Sequence, residues 1–271
     1  MADRFTVMGA AGVVGSRLVQ ALRERGTGCR AIKRHDWPEA GTHLGHAIYA
    51  IGITGDFRTR PGEAVEAHAG LLARVLRDYS FDSFTYMSSA RLYRMALGAC
   101  DEEAQFGLVP RDTDKLYDFS KLTGECLCHA AGPARTHVVR MSNAYVAGDN
   151  SPNFLPSVLK EVVATGQVTI RQSVASCKDY VALDDAVAAI IAISERGQDK
   201  VYTVASGHLT SHGEIAEQLR RRFGFTVHFQ PGGVDDIQPL LPVSRLARFM
   251  EWKPRHVIDD LPVLVRALTS G

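Results

Sequence analysis

Along most of the chain, short runs of apolar residues alternate with longer stretches in which apolar positions recur at helical spacing. The short runs predict buried strands at 4–8, 29–33, 46–52, 84–88, 136–142 and 200–206. The longer stretches predict amphipathic helices at 13–25, 63–79, 113–131, 184–195 and 212–223. Because strands and helices alternate, we expect an α/β fold, a Rossmann-like doubly wound parallel sheet with helices on both faces.

The turn between the first strand and the first helix reads "VMGAAGVVGSRL". Gly9 permits the tight turn, Gly12 lets backbone N–H groups approach a pyrophosphate, and Gly15 lets the helix pack closely on the strand. The helix N-terminus at Val13 and Val14 would then face the phosphates with its partial positive charge. The position of these glycines between strand and helix predicts a dinucleotide-binding site.

The end of the second strand bears on the choice of coenzyme. An acidic residue there usually accepts hydrogen bonds from the ribose 2′-hydroxyl of NAD. Here the sequence is "AIKRHDW", with Lys33 and Arg34 before Asp36. Two cations favour a 2′-phosphate, so we expect NADP. NAD stays open as the alternative, with Asp36 serving the ribose.

The pattern changes after residue 145, where Gly and Pro cluster in "VAGDNSPNFLP" (146–156) and predict a crossing loop. We therefore expect an NAD(P)-binding Rossmann core over 1–145. Residues 146–271 would complete the sheet and form a small C-terminal substrate-binding cap.

The segment "KLYDFSKLTGE" places Tyr117 and Lys121 four residues apart on a predicted helix, and therefore on one face. A lysine cation there favours the tyrosinate and lowers the pKa of Tyr117 from about 10 toward the working pH. Such a phenol can exchange a proton with a carbonyl or alcohol. Upstream, Ser88 and Ser89 end a strand at the edge where ligands of open α/β sheets lie.

These motifs together resemble the extended branch of the short-chain dehydrogenase/reductase family, the NAD-dependent epimerase/dehydratase-like members that modify nucleotide-linked sugars. The likeness is carried in the family's order by "GAAGVVG", "SSARLY", "YDFSKLTGE", "RMSNAY" and "CKDYVALDDA", and it covers residues 5 to about 190.

The resemblance implies a catalytic site of Ser89, Tyr117 and Lys121, with Ser88 as the alternative to Ser89. Tyr117 would be the acid/base, and Lys121 would also hydrogen-bond the nicotinamide ribose. The hydride chemistry belongs to the coenzyme. "IYAIGITGDF" departs from the family's usual third strand, so the coenzyme pocket wall at Gly52 to Thr54 is expected to be unusual.

The resemblance also implies residues that contact the substrate. Asn143 matches the family segment that approaches the nucleotide sugar. Lys178 stands where relatives carry an arginine for the diphosphate, and it can meet a phosphate only as a point charge. Arg171 in "VTIR" is another candidate anion contact. Ala90 and Arg91 replace the acidic pair of the dehydratases, which argues against 4,6-dehydration.

The leading hypothesis is therefore an NADP-preferring reductase, or an epimerase, acting on the keto group of a nucleotide-activated sugar. One alternative is a reductase of a non-nucleotide small-molecule ketone. Another is a non-catalytic NADP-binding sensor, which retention of Ser89, Tyr117 and Lys121 argues against.

Composition and charge argue against nucleic-acid-binding, membrane-spanning and secreted classes of protein. The net charge is +1 in 271 residues, which gives no pull toward nucleic acid, and no apolar run of membrane-spanning length occurs. The N-terminus lacks the apolar core of a signal peptide. The cysteines are odd in number, five, and lack paired spacing, which argues against a disulfide framework and favours a reducing cytoplasm. No metal site is expected. The resemblance implies a homodimer through helices 63–79 and 113–131.

Overall fold

The computed structural model describes residues 4–53 and 57–269. The described strands are β1 (Phe5–Met8), β2 (Cys29–Ile32), β3 (His46–Tyr49), β4 (Ser83–Ser89), β5 (Thr136–Met141), β6 (Asn143–Tyr145), β7 (Gln167–Ile170), β8 (Cys177–Ala182), β9 (Val201–Val204), β10 (Leu209–Ser211) and β11 (Thr226–Phe229). The described α-helices are α1 (Val13–Glu24), α2 (Pro61–Val65), α3 (Leu71–Asp78), α4 (Leu116–Ala131), α5 (Phe154–Thr165), α6 (Leu183–Arg196), α7 (His212–Phe223), α8 (Ser244–Phe249) and α9 (Val257–Thr269).

Six strands form the central sheet in the order β2-β1-β3-β4-β5-β9, and every pairing in it is parallel. Consecutive residues of a strand point to opposite faces. Val7 packs with Leu18 of α1 and Ile190 of α6 on one face. Its neighbour Met8 packs with Leu72 of α3 on the other. The predicted doubly wound parallel sheet is therefore confirmed.

The later part of the chain contributes β9 to this sheet and builds two smaller sheets, β10-β8-β6 and β11-β7. A second apolar core lies between them and helices α5, α7 and α9, with Leu159, Leu219 and Leu261 among its members. The division of the chain at residue 145 stays a prediction.

Two local predictions differ from the structure. The predicted crossing loop at 146–156 ends early, because α5 already begins at Phe154. Pro156 suggested a loop, but proline is tolerated in the first turn of a helix, where its missing N–H costs nothing. The predicted helix at 63–79 is interrupted by a π-helical turn at Glu66–Gly70, between α2 and α3. Within the described ranges, no helix is long and apolar enough to cross a membrane.

Candidate active site

The glycine turn joins β1 to α1 at the carboxyl edge of the sheet. Gly9 has φ +84°, and a Cβ on it would lie 2.9 Å from the Ala50 carbonyl that follows β3. A Cβ on Gly15 would lie 2.1 Å from the Gly9 oxygen. Both positions therefore require glycine, because the strand, the turn and the helix pack backbone to backbone.

Gly12 is the N-cap of α1, and no side chain caps this helix end. A Cβ on Gly12 would come only within 3.5 Å of one backbone oxygen, and both Gly12 and Val13 are exposed. Val14 follows, half-buried, in the first turn. An uncapped helix N-terminus with no side chain over it fits the pyrophosphate of a dinucleotide, which would accept from the first N–H groups.

Lys33 and Arg34 are both exposed directly after β2, which ends at Ile32. Asp36 is exposed as well, and its backbone N–H donates to the Lys33 carbonyl (3.3 Å) in a turn. The two cations and the carboxylate thus lie on one short turn. Lys33 and Arg34 remain the candidates for binding NADP, and Asp36 remains the candidate for binding the ribose of NAD.

Tyr117 lies in the first turn of α4 and is 5% exposed. Its ring packs against Phe57 (centroids 5.4 Å apart) and meets the His68 ring edge-on (5.2 Å, 89°). One turn later, the Lys121 ammonium donates to the Met87 carbonyl of β4 (2.7 Å). A Cβ on Gly52 would lie 3.4 Å from Lys121 Nζ, which brings the segment after β3 beside the lysine. Thr54, the other end of the predicted pocket wall, lies outside the described residues.

Burial lowers the pKa of Lys121 from 10.5 to about 7, although the Glu125 carboxylate acts in the opposite direction. The sequence led us to expect a full positive charge beside Tyr117. In the coenzyme-free chain, the ammonium is instead partly deprotonated at neutral pH, because the low-dielectric interior disfavours the cation. The charge available to Tyr117 therefore depends on pH near neutrality.

The two serines at the end of β4 have different surroundings. Ser89 is half-buried and caps a short 3-10 helix (Ala90–Met95), where its Oγ accepts from the Arg91 N–H (3.2 Å). Ser88 is buried, and its hydroxyl donates to Glu125 Oε1 (2.5 Å). The Ser88 hydroxyl is therefore engaged in the interior, which leaves Ser89 as the better-placed candidate for a substrate oxygen.

Arg91 places a second cation near Tyr117. The sequence did not predict Arg91 as a site residue. Its guanidinium carbon lies 5.7 Å from the Tyr117 ring centroid and 5.4 Å from that of Phe57. Arg91 Nε also pairs with Asp118 Oδ1 (2.9 Å), a fully buried carboxylate. Burial raises the pKa of Asp118, and Arg91 opposes this shift. In the sequence, Ala90 and Arg91 stand out only because they replace the acidic pair of the dehydratases.

The predicted substrate residues fall in two places. Asn143 begins β6 opposite Tyr180 of β8, two residues after Lys178, and its side-chain amide donates to the Asp179 carbonyl (2.8 Å). The structure thus brings Asn143 and Lys178 onto neighbouring strands. Arg171 is exposed just after β7, which belongs to the other small sheet.

Lys178 has an acidic partner that the sequence did not reveal. Its Nζ lies 3.2 Å from Asp236 Oδ2, and Arg94 Nη1 lies 2.6 Å from the other oxygen of the same carboxylate. The Lys178 ammonium also lies 5.5 Å from the centre of the Phe154 ring. Two cations share one carboxylate here, which leaves one excess positive charge among the three groups. The Phe154 ring is itself stacked on the His212 ring (centroids 3.7 Å apart, 8°).

Comparisons with known proteins agree with this arrangement. The profile of the NAD dependent epimerase/dehydratase family matches residues 46–205, more than half of the chain. A dTDP-4-dehydro-6-deoxy-D-allose reductase of Streptomyces bikiniensis is 23% identical, with 98% of this chain and 97% of the relative covered.

Solved structures share the fold. RMD from Pseudomonas aeruginosa, complexed with NADPH, superposes with a TM-score of 0.76 at 21% identity, covering 98% of this chain and 99% of its own. UDP-glucuronic acid 4-epimerase from Bacillus cereus, in complex with UDP-glucuronic acid and NAD, gives a TM-score of 0.81 at 16% identity, with 98% and 99% covered. From the family profile and these relatives, the chain belongs to the NAD dependent epimerase/dehydratase family and is an NAD(P)-dependent enzyme of the extended short-chain dehydrogenase/reductase type.

Proposed function

We propose that the protein is a reductase that uses NADPH to reduce the keto group of a nucleotide-activated deoxysugar. The observation that carries the proposal is the likeness to a dTDP-4-dehydro-6-deoxy-D-allose reductase over 98% of this chain. The exposed Lys33 and Arg34 at the end of β2 support NADPH, since a guanidinium can bind a 2′-phosphate bidentately.

In this reaction the bound nicotinamide coenzyme supplies a hydride to the carbonyl carbon. Tyr117 Oη donates its proton to the carbonyl oxygen, which becomes the alcohol, and solvent then reprotonates the phenolate. Ser89 Oγ would hold the same oxygen by a hydrogen bond. A charged Lys121 would stabilise the phenolate, and its remaining N–H groups would hold the nicotinamide ribose.

On the substrate side, Lys178 and Arg94 would attract the diphosphate, and Asn143 would orient the sugar end. The excess positive charge around Asp236 supports an anionic substrate.

The experiment is turnover of the purified protein with NADPH or NADH and the dTDP-linked 4-dehydro-6-deoxy sugar. We expect loss of reduced-coenzyme absorbance and formation of the dTDP-linked alcohol, with NADPH preferred. Protein that releases bound NAD on denaturation, and interconverts sugar epimers without added coenzyme, would instead be an epimerase.

One observation favours a second candidate, the reduction of a non-nucleotide ketone. Lys178, the cation expected at the diphosphate, is already paired with Asp236. Free nucleoside diphosphates distinguish the two, because they compete with a nucleotide-sugar substrate and leave reduction of a simple ketone unaffected.

We also propose a cytoplasmic homodimer that pairs the segments 63–79 and 113–131, which include parts of α2 and all of α3 and α4, with their copies. None of the five cysteines, all of which lie in the described part of the chain, forms a disulfide, which suits a reducing compartment. Val65, at the end of α2, is 40% exposed on the predicted dimer surface. The molar mass in solution tests the assembly.

A further inference from the structure

The π-helical turn at Glu66–Gly70 is held in place by the sheet and by α4. Tyr49 Oη donates to the Ala67 carbonyl (2.6 Å), and Tyr86 Oη donates to the His68 carbonyl (3.2 Å); both tyrosines are fully buried. A Cβ on Gly124 of α4 would lie 2.7 Å from the same His68 oxygen. The turn is therefore a fixed part of the fold, and single π turns inside helices are frequent at functional sites.

The turn carries His68, whose side chain has no exposed surface. Its Nδ1 lies 2.8 Å from Ser120 Oγ, and the Ile53 N–H donates to its Nε2 (3.2 Å). Ser120 Oγ donates its only proton to the Tyr117 carbonyl (2.8 Å). Ser120 must therefore accept from His68, which assigns the proton of the neutral imidazole to Nδ1 and leaves Nε2 as the acceptor.

The imidazole thus joins the segment after β3 to the catalytic turn of α4. A Cβ on Gly52 would lie 3.2 Å from His68 Nε2 and 3.4 Å from Lys121 Nζ, so that segment lies beside both side chains. The His68 ring also meets the Tyr117 ring edge-on. One side chain therefore contacts the backbone of the predicted coenzyme wall and the aromatic ring of the acid/base.

We propose that His68 is a positioning residue that fixes the Gly52–Ile53 backbone on the coenzyme side and orients Tyr117 on the substrate side. The two ring nitrogens divide these roles: Nε2 holds Ile53, and Nδ1 holds Ser120 and the turn that carries Tyr117. Only the turnover measurement below rests on the proposed function.

A constant protonation state suits this role. Burial, together with the neighbouring Lys121 charge, lowers the pKa of His68 from 6.5 to about 2. The imidazole stays neutral across the physiological range, so Nε2 keeps the lone pair that accepts from Ile53.

Two variants separate the two nitrogens. His68→Asn retains an N–H near the Nδ1 position but does not reach Ile53. His68→Gln places a carbonyl oxygen near the Nε2 position but loses the contact to Ser120. We expect His68→Asn to weaken NADPH or NADH binding to the free enzyme about tenfold, because the Ile53 anchor is gone. We expect His68→Gln to bind the coenzyme within about threefold of wild type but to lower kcat about tenfold.

Hydrogen exchange of the Ile53 amide in the coenzyme-free protein gives a readout that needs no substrate. Exchange should be about tenfold faster in His68→Asn and close to wild type in His68→Gln. If the wild type turns over no keto-sugar, the proposed function fails, while the coenzyme affinity and the exchange rates still decide the role of His68.

Tyr49→Phe is the matched control, since it removes a hydrogen bond to the same π turn without touching Ile53, Ser120 or Tyr117. It should lower thermal stability and leave coenzyme affinity, kcat and Ile53 exchange unchanged. If Tyr49→Phe reproduces the defects of the His68 variants, or if both His68 variants match wild type, the proposal is overturned.

Discussion

At the scale of single residues, the site depends on the first two turns of α4, which present Tyr117 and Lys121 to the same edge of the sheet. Both are at most 5% exposed, so each interacts with groups that the fold has already fixed. The phenol contacts aromatic rings, and the ammonium contacts a strand carbonyl. Removing one functional group should therefore change the chemistry while the scaffold stays intact.

Tyr117→Phe tests the acid/base directly. We expect kcat to fall by about 10²–10⁴, the usual contribution of a positioned proton donor, with coenzyme affinity nearly unchanged. Steady-state kinetics and coenzyme titration measure both. Tyr79→Phe, which loses a hydroxyl that donates to the Pro38 carbonyl, is the control. Full activity in Tyr117→Phe would remove Tyr117 from the mechanism.

Lys121→Met tests the burial of the ammonium through the pH dependence of stability. Between its native pKa of about 7 and its ordinary value of 10.5, the unfolded chain binds more protons at this position than the native chain. The free energy of unfolding therefore rises with pH across that window. Below it, the buried ammonium lowers the free energy of unfolding by its full amount. The free energy of unfolding of Lys121→Met should exceed that of wild type by about 3–5 kcal/mol near pH 6 and by less than about 1 kcal/mol near pH 10.

Denaturant unfolding at the two pH values measures the difference, and activity should be lost at both. Lys253→Met, at a lysine that is 82% exposed, should show no such dependence. Equal gains for Lys121→Met at both pH values would mean that the native ammonium keeps its ordinary pKa.

The residues that could be predicted at this scale are those whose partners are close in sequence. Tyr117 and Lys121 follow from helical spacing, and the glycines from the geometry of a strand–turn–helix. His68 and Asp236 could not be predicted, because their partners come from other elements: Ser120 is 52 residues from His68. Asp236 likewise pairs with Arg94 and Lys178, which are distant from it in the sequence. Tertiary packing decides these contacts, and no local pattern signals them.

At the scale of elements, α4 is joined to β5 by a buried ion pair. Arg140 Nη2 donates to Glu125 Oε2 (2.8 Å) and Arg140 Nε donates to Oε1 (3.1 Å), with both side chains 5% exposed. Ser88 of β4 donates to the same carboxylate. The last residue of "YDFSKLTGE", Glu125, and the first residue of "RMSNAY", Arg140, therefore form one contact in the interior.

Glu125→Ala should lower the free energy of unfolding by about 3–5 kcal/mol, because it leaves the Arg140 cation buried without its partner. Denaturant unfolding measures the loss. The double variant Glu125→Leu with Arg140→Met should recover at least half of it, since an apolar pair of similar volume can replace a buried ion pair. A double variant as unstable as the single one would indicate that packing, and not the unpaired charge, causes the loss.

The elements themselves were predictable to different degrees. The five early strands and the helices at 13–24 and 183–196 follow from apolar periodicity. β7 (QVTI) and β10 (LTS) contain no two consecutive apolar residues, so they lack the short apolar run that predicts the strands of the central sheet. The π turn has no sequence signal either, since its stability comes from Tyr49 and Tyr86 on strands that lie elsewhere in the chain.

At the scale of the whole molecule, coenzyme binding should stabilise the fold, because a ligand that binds only the native state shifts the unfolding equilibrium. At about 100 times its Kd the gain is about 2.7 kcal/mol, a rise in Tm of roughly 5–10 °C for a chain of this size. NADPH should give a larger rise than NADH at equal concentration.

The double variant Lys33→Ala with Arg34→Ala should abolish most of this difference while it keeps the rise with NADH. Thermal unfolding with each coenzyme measures both. Arg221→Ala, at an exposed arginine on α7, is the comparison for a general effect of charge. An unchanged preference in the double variant would assign the choice of coenzyme to other residues.

The position of β9 has a consequence for how the protein is made. β5 pairs with β4 on one side and with β9 on the other, and β9 follows it by some sixty residues, after three small-sheet strands (β6, β7 and β8) and helices α5 and α6. A nascent chain on the ribosome therefore exposes the open edge of β5 until Val201–Val204 has left the exit tunnel. During that interval the edge is available for pairing with other chains, so premature termination before β9 would yield an aggregation-prone fragment.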